Sequence, residues 1–144
     1  MAYATVADFV LRVGELQAIE LTDRDGVGEI NEQVLELGLA DSSSQMDGYL
    51  SARYALPLLS VPQNLVRLCC DLTRYRLASM SGVDITDEII ERYKLSLKEL
   101  EQLAKGAISL GLPELNADSE DSEFSGAIFF SNNKNRVFSR DNKD

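Results

Sequence analysis

The chain contains no histidine, so the commonest general base is missing, and with it Ser-His-Asp and Cys-His catalysis. What remains for chemistry is a pair of adjacent cysteines, Cys69 and Cys70, and acids at close spacing: Asp84 with Asp87, Glu88 with Glu91, and Asp23 with Asp25 in the run TDRDGVG. Adjacent helical residues point about 100° apart, so a disulfide between the cysteines would be strained, and a shared metal would need carboxylates as its other ligands. Two small apolar core residues are the expectation. Paired carboxylates suit general acid-base work, but acids at helix starts serve mostly as caps and as partners of the helix dipole. The run 22–28 invites a calcium reading. An EF-hand loop, however, needs oxygen ligands at alternate positions and a closing glutamate, and after Gly26 this chain supplies Val27, Gly28 and Ile30. A polar turn is expected there. The reading is a protein with no catalytic residue, no cofactor and no metal.

The elements that position these residues are helices. In the stretch 47–80, Leu65, Val66, Leu68, Cys69, Cys70, Leu72, Tyr75 and Leu77 point around most of a helix circumference, the pattern of a helix buried on several sides. Its polar stripe is Arg67, Asp71 and Arg74, at i, i+4 and i+7. Asp71 can pair with either arginine, and the face is expected to look outward or at a neighbouring subunit. Before it, Asn31 reads as the N-cap of a long helix running to about Tyr54, with Leu35, Leu39, Met46, Leu50 and Tyr54 on one face. Gly38 and Gly48 weaken that helix but permit close packing, and Ser42, Ser43 and Ser44 keep its middle slim. Leu56-Pro57 forbids continuation, Pro62 is suited to a first helical turn, and the stiff connector 55–61 folds the two helices into an αα-hairpin. Thr5 with Asp8 begins a short first helix, and Gly14 ends it. ELQAIEL adds a turn or two. Thr86 caps a last helix with Asp87 and Glu88 in its first turn, Ile89, Tyr93, Leu97, Leu100 and Ala104 on its apolar face, and Gly106 at its end.

Of the 144 residues, 44% are hydrophobic, enough for one domain with a core. A formal charge of -10 argues against a protein built to grip nucleic-acid phosphates. There is no apolar run of about 18 residues and no charged-then-apolar leader, so neither a membrane span nor a signal peptide is expected, and synthesis is expected in a cytoplasm. Beyond Pro113 the composition changes. Residues 114–123 hold five acids and no bases, the composition of a disordered linker. Apolar character returns at Phe124, in 127–130 with Phe129 and Phe130, and at Val137 and Phe138, flanked by Arg136 and Arg140; two short strands are an option there, marginal unless docked. The expectation is an all-α protein, a small bundle of about four to five helices over residues 1–112, an acidic linker over 113–123, and a docking arm over 124–144 that can form a short β-hairpin on assembly.

Several motifs stand in order along almost the whole chain: YAT with Asp8, LTDRDG at 21–26, DGYLSARYALPL at 47–58, the VP before the central helix, CDLTRYRL at 70–77, ERYK at 91–94 and RVFSRD at 136–141. Together they resemble the small head proteins of Mu-like transposable phages and prophages, a family similar to the head-tail connector, or adaptor, proteins of tailed phages. The resemblance implies a helical virion protein at the head-tail junction that assembles with itself as a ring, commonly twelve-fold, beneath the portal. Its further partners would be the portal protein and a tail completion or tail terminator protein. Genomic DNA would pass through the channel without sequence-specific binding, and no membrane would be involved. The ending Asn142-Lys143-Asp144 departs from the aromatic terminus associated with relatives.

Three functions compete on this sequence. In the structural connector, Arg53 with Tyr54 and the Leu56-Pro57 turn would position the hairpin. Arg67, Asp71 and Arg74 would form an inter-subunit ion-pair stripe, and Phe124, Phe129, Phe130, Arg136, Val137, Phe138 and Arg140 the docking arm. The alternative is a DNA-binding or packaging-regulatory helical protein using Arg53, Arg67, Arg74 and Arg76, which the net charge disfavours. The third is a small carboxylate enzyme built on Asp84 and Asp87 or Glu88 and Glu91.

Overall fold

A computed structural model describes residues 1–116. The chain divides into two units, Met1–Leu112 and Pro113–Asp144. Five helices make up the first unit: α1 (Val6–Val13), α2 (Glu15–Thr22), α3 (Glu32–Leu50), α4 (Gln63–Ser81) and α5 (Asp87–Lys105). Among the described residues there is no strand, and none of these helices is long and apolar enough to cross a membrane. The unit is an all-α bundle. The hairpin expected in the arm lies outside the described residues.

Local chemistry sets the helix ends. At α1 the Thr5 hydroxyl accepts from the Asp8 N–H while Asp8 accepts from the Thr5 N–H, a reciprocal capping box. Asn31 accepts from Val34 N–H and Thr86 from Ile89 N–H at the starts of α3 and α5. Gly82 and Gly106, in left-handed backbone, stop α4 and α5. Two boundaries differ from the expectation. Helix α3 ends at Leu50, and Tyr54 is brought under the core by a further turn in which both Arg53 N–H and Tyr54 N–H donate to the Leu50 carbonyl. Pro62 stands outside α4 as its N-cap, in extended backbone, its carbonyl accepting from Leu65 N–H at 2.9 Å. The connector between α3 and α4 is therefore longer than expected, and the Leu56-Pro57 peptide within it is cis.

Helix α4 touches each of the other four helices, and Leu65, Leu68, Cys69, Cys70, Leu72, Leu77 and Ala78 are buried along it. Leucine burial of this completeness contributes about 1.5–3 kcal/mol per side chain. Its register against α3 is antiparallel, Gly38 facing Leu77, Ser42 facing Thr73, and Ser43 facing Cys69. The small residues allow this close approach. A Cβ on Gly38 would lie 3.1 Å from Leu77 Cδ2 and 3.3 Å from Thr73 Cγ2. Thr73, itself buried, donates to its own helix at Cys69 O, 2.7 Å, and its hydroxyl oxygen is paired with the Ser42 hydroxyl at 2.9 Å, so its polar atom stays satisfied in the core. Helix α5 runs antiparallel to α4 on another side, with Tyr75 and Tyr93 stacked at 3.9 Å between centroids.

The N-terminal segment is tied to α3: Tyr3 N–H donates to Ser43 Oγ at 3.1 Å, and the Tyr3 hydroxyl donates to Asp47 at 2.5 Å. Burial, reinforced by the Asp47 carboxylate, raises the Tyr3 phenol far above its ordinary range. The run 22–28 is the polar turn expected of it, because the Asp23 carboxylate accepts from Val27 N–H at 3.0 Å and Gly28 N–H at 2.7 Å. Those two bonds hold Asp23 below the usual carboxylate range.

Candidate functional site

The residues with the richest polar chemistry meet between α4 and α5. Arg67 donates to Glu99 at 2.7 Å and to Asn64 Oδ1 at 2.6 Å, while Asn64 donates to the other Glu99 oxygen at 2.6 Å. One helical turn on, Asp71 lies 3.5 Å from Arg67 and accepts from Ser96 at 3.4 Å. Arg74 reaches Glu88 at 3.5 Å, and Glu88 sits closer, at 2.9 Å, to Arg92. The stripe expected to look outward or at a neighbouring subunit therefore finds its partners on α5 of its own chain. Asp71 pairs with Arg67 within α4, and α5 supplies a partner to each of the three: Glu99 to Arg67, Ser96 to Asp71 and Glu88 to Arg74.

Two carboxylates of this seam, Asp71 and Glu99, are shifted in opposite directions. Burial raises Asp71 above its ordinary value, against the pull of Arg67 and Arg92. Burial also acts on Glu99, but the hydrogen bonds from Asn64 and Arg67 and the Arg67 charge outweigh it and leave Glu99 below its ordinary value. Geometry explains the contrast, since Glu99 has short bonds to both partners and Asp71 has only long ones.

Arg53 has a different task. Its Nη1 donates to Leu103 O and to Ile108 O, each at 3.0 Å, and its guanidinium carbon stands 5.6 Å from the centre of the Tyr54 ring. A cation is thus set at the C-terminal end of α5, where the helix dipole is negative, on the Leu103 carbonyl, which also accepts from Gly106 N–H, and on the Ile108 carbonyl just beyond the helix. Tyr54, buried as expected, accepts from Leu110 N–H at 3.0 Å. Residues 53 and 54 therefore hold the end of α5 and the segment that follows it.

The four arginines of the DNA-binding reading are dispersed: Arg53 on the Leu103 and Ile108 carbonyls, Arg67 and Arg74 on acids of α5, and Arg76 on Gln45 of α3 at 3.0 Å. Among the acids of the enzyme reading, Asp84 and Asp87 are exposed, Glu88 is held by Arg92, and Glu91 lies 3.6 Å from Lys94. Among the described residues no group of three or more acids or cysteines is placed to hold a metal. Cys69 and Cys70 are free thiols, both buried, and burial pushes Cys70 up to about 12. Phe124, Phe129, Phe130, Arg136, Val137, Phe138 and Arg140 lie outside the described residues.

One feature escaped the sequence reading altogether. A cleft of about 480 Å³ opens between the N-terminal segment with α1 and the face of α3, floored by Ala4, Val6, Ala7, Leu39 and Ala40. Glu36 is its one charged lining residue. The run of alanines was its signal, but nothing in the sequence pairs residues 4–7 with residues 36–40.

Comparison with known proteins matches residues 3–127 to the family described as Bacteriophage Mu, Gp36. The chain is similar to gene product J of Escherichia phage Mu, with 35% identity over 124 residues, 85% of this chain and 86% of that protein. It is also similar to the Mu-like prophage FluMu protein gp36 of Haemophilus influenzae, with 40% identity over 85 residues, 59% of this chain and 58% of that protein.

Proposed function

This chain belongs to the bacteriophage Mu Gp36 family, and from that premise we propose that it is a structural, non-catalytic protein of the virion, a connector that forms a homo-oligomeric ring beneath the portal. In this reading the ring extends the DNA channel at the head-tail junction and offers a docking surface to a tail completion or tail terminator protein. The observation that carries it is the extent of the family match, which runs through all five helices and into the start of the arm. A rigid bundle followed by an arm of separated apolar patches is the build of a subunit that must interlock with neighbours. The excess of acids, 24 against 14 bases, suits a channel wall that DNA must slide past, since a basic wall would bind the phosphates and hinder ejection.

The test is negative-stain imaging of the full chain mixed with its portal protein, beside a chain lacking residues 124–144. The expected result is a ring on the portal for the full chain and none for the truncated one, with the helical signal and unfolding of the monomer nearly unchanged. A full chain that never joins the portal, or a truncated chain that joins it normally, would refute the reading.

A further inference from the structure

The cleft between the N-terminal segment and α3 has no partner within the described bundle, and its chemistry is specific. Its floor is small and apolar, and its volume falls within the range of about 300–1,000 Å³ in which side chains and ligands seat. The charge around it is one-sided. Its lining residues all fall within 1–52, a stretch with ten acids against two bases, whereas residues 53–112 carry seven acids against eight bases. On α3 itself Glu32, Glu36 and Asp41 are exposed. An occupant matched to this surface is apolar at its centre and basic beside it.

The chain contains one segment of that description outside its described residues. Residues 124–144 carry Phe124, Phe129, Phe130, Val137 and Phe138 among Lys134, Arg136, Arg140 and Lys143, with only two acids. We propose that the cleft between the N-terminal segment and α3 is the seat of the C-terminal arm, residues 124–144, of a second copy of this chain. Aromatic side chains of the arm fill the alanine-lined floor, and its bases face Glu36 and the neighbouring acids of α3. The proposal rests on the ring reading above and names the surface through which the subunits interlock.

Exchange between copies follows from ring closure. A ring needs a heterologous contact, two different complementary surfaces on every subunit. The cleft with Glu36 and the basic, aromatic arm are such a pair, and an arm seated in its own chain's cleft would leave neither for a neighbour.

Full-length chains carrying Ala40→Cys and full-length chains carrying Phe130→Cys, mixed in equal amounts under mild oxidation, should give a disulfide-linked heterodimer. The doubly substituted chain should give linked multimers and little intrachain bridge. In parallel, Ala40→Trp, at an exposed position whose filling spares the core, and Glu36→Lys should each raise the concentration needed for self-assembly by about tenfold or more, the equivalent of about 1.4 kcal/mol. The pair Glu36→Lys with Arg136→Glu should recover part of that loss. Intrachain bridging alone, or assembly unchanged in both Ala40→Trp and Glu36→Lys, overturns this inference and leaves the ring reading standing. A wild-type chain that stays monomeric both alone and with its portal overturns the two together.

Discussion

Helix α3 carries two glycines in helical backbone, and substituting each by alanine should move stability in opposite directions. Alanine is favoured over glycine in a helix interior by about 0.8–1.0 kcal/mol. At Gly48, exposed and with no atom within 4 Å of the would-be Cβ, that preference acts alone. Gly48→Ala should stabilise by about 0.5–1 kcal/mol. At Gly38 the same methyl must enter a seam where Leu77 Cδ2 lies at 3.1 Å, Leu77 Cγ at 3.4 Å and Thr73 Cγ2 at 3.3 Å. Neither neighbour can step aside cheaply. Leu77 is 2% exposed, and Thr73 is oriented by its bonds to Ser42 and Cys69 O. Overpacking a core by a methyl costs about 1–3 kcal/mol, so the propensity gain is cancelled or exceeded, and Gly38→Ala should destabilise by up to about 2 kcal/mol. Urea unfolding of the full chain followed by circular dichroism reads both. A shift of 1 kcal/mol corresponds to roughly 3–6 °C in Tm for a unit of this size. Stabilisation by both substitutions would show that α3 and α4 do not meet at Gly38, and the antiparallel register would fall with it.

Replacing Arg53 by methionine should destabilise the unit by about 1.5–3 kcal/mol, because two carbonyls lose a charged donor; an unchanged urea midpoint would contradict the clamp. The two seam carboxylates should respond to pH with opposite signs. Glu99, held below its ordinary value, supplies stability that is present above its unfolded-state pKa and lost as pH falls through its folded-state pKa. Glu99→Gln should therefore cost more at pH 7 than at pH 3. Asp71, raised by burial, binds its proton more readily in the folded chain, so stability falls as pH rises from its unfolded value through its folded one. Asp71→Asn should look more favourable at pH 7 than at pH 3, and parallel pH profiles for the two substitutions would refute the assignment. Cys69 and Cys70 should react slowly with a thiol reagent at pH 8 in the native chain and completely once it is unfolded; rapid native labelling of either would place it at the surface.

What was legible in the sequence was what chemistry decides within one helical turn. The Thr5–Asp8 capping box, the Asn31 and Thr86 caps and the glycine stop at Gly106 each depend on residues a few positions apart. The burial of α4 was legible too, since an apolar pattern around most of a helix leaves no other arrangement. The direction of the Arg67, Asp71 and Arg74 stripe was not. Charges at i, i+4 and i+7 read the same whether they face water or another helix, and the deciding partners, Ser96 and Glu99, stand 25 and 32 residues away. Arg53 was singled out for its place beside the proline turn, yet its bonds reach 50 and 55 residues along the chain. The cleft was invisible for the same reason, since it exists only where the N-terminal segment crosses α3.

The clamp at residues 53 and 54 also changes where the cooperative unit ends. Helix α5 stops at Lys105, but Ile108, Leu110 and Leu112 still pack against the core, with the Ile108 carbonyl on Arg53 and the Leu110 amide on Tyr54. An amide in irregular backbone ordinarily exchanges its proton with water through small local openings, at little free-energy cost. The Leu110 amide is instead bonded to a phenol that is 1% exposed and fixed inside the bundle. Its proton should therefore exchange more slowly than irregular backbone ordinarily allows, and hydrogen exchange at Leu110 no slower than at the exposed Gly111 would show that the segment 106–112 opens apart from the bundle.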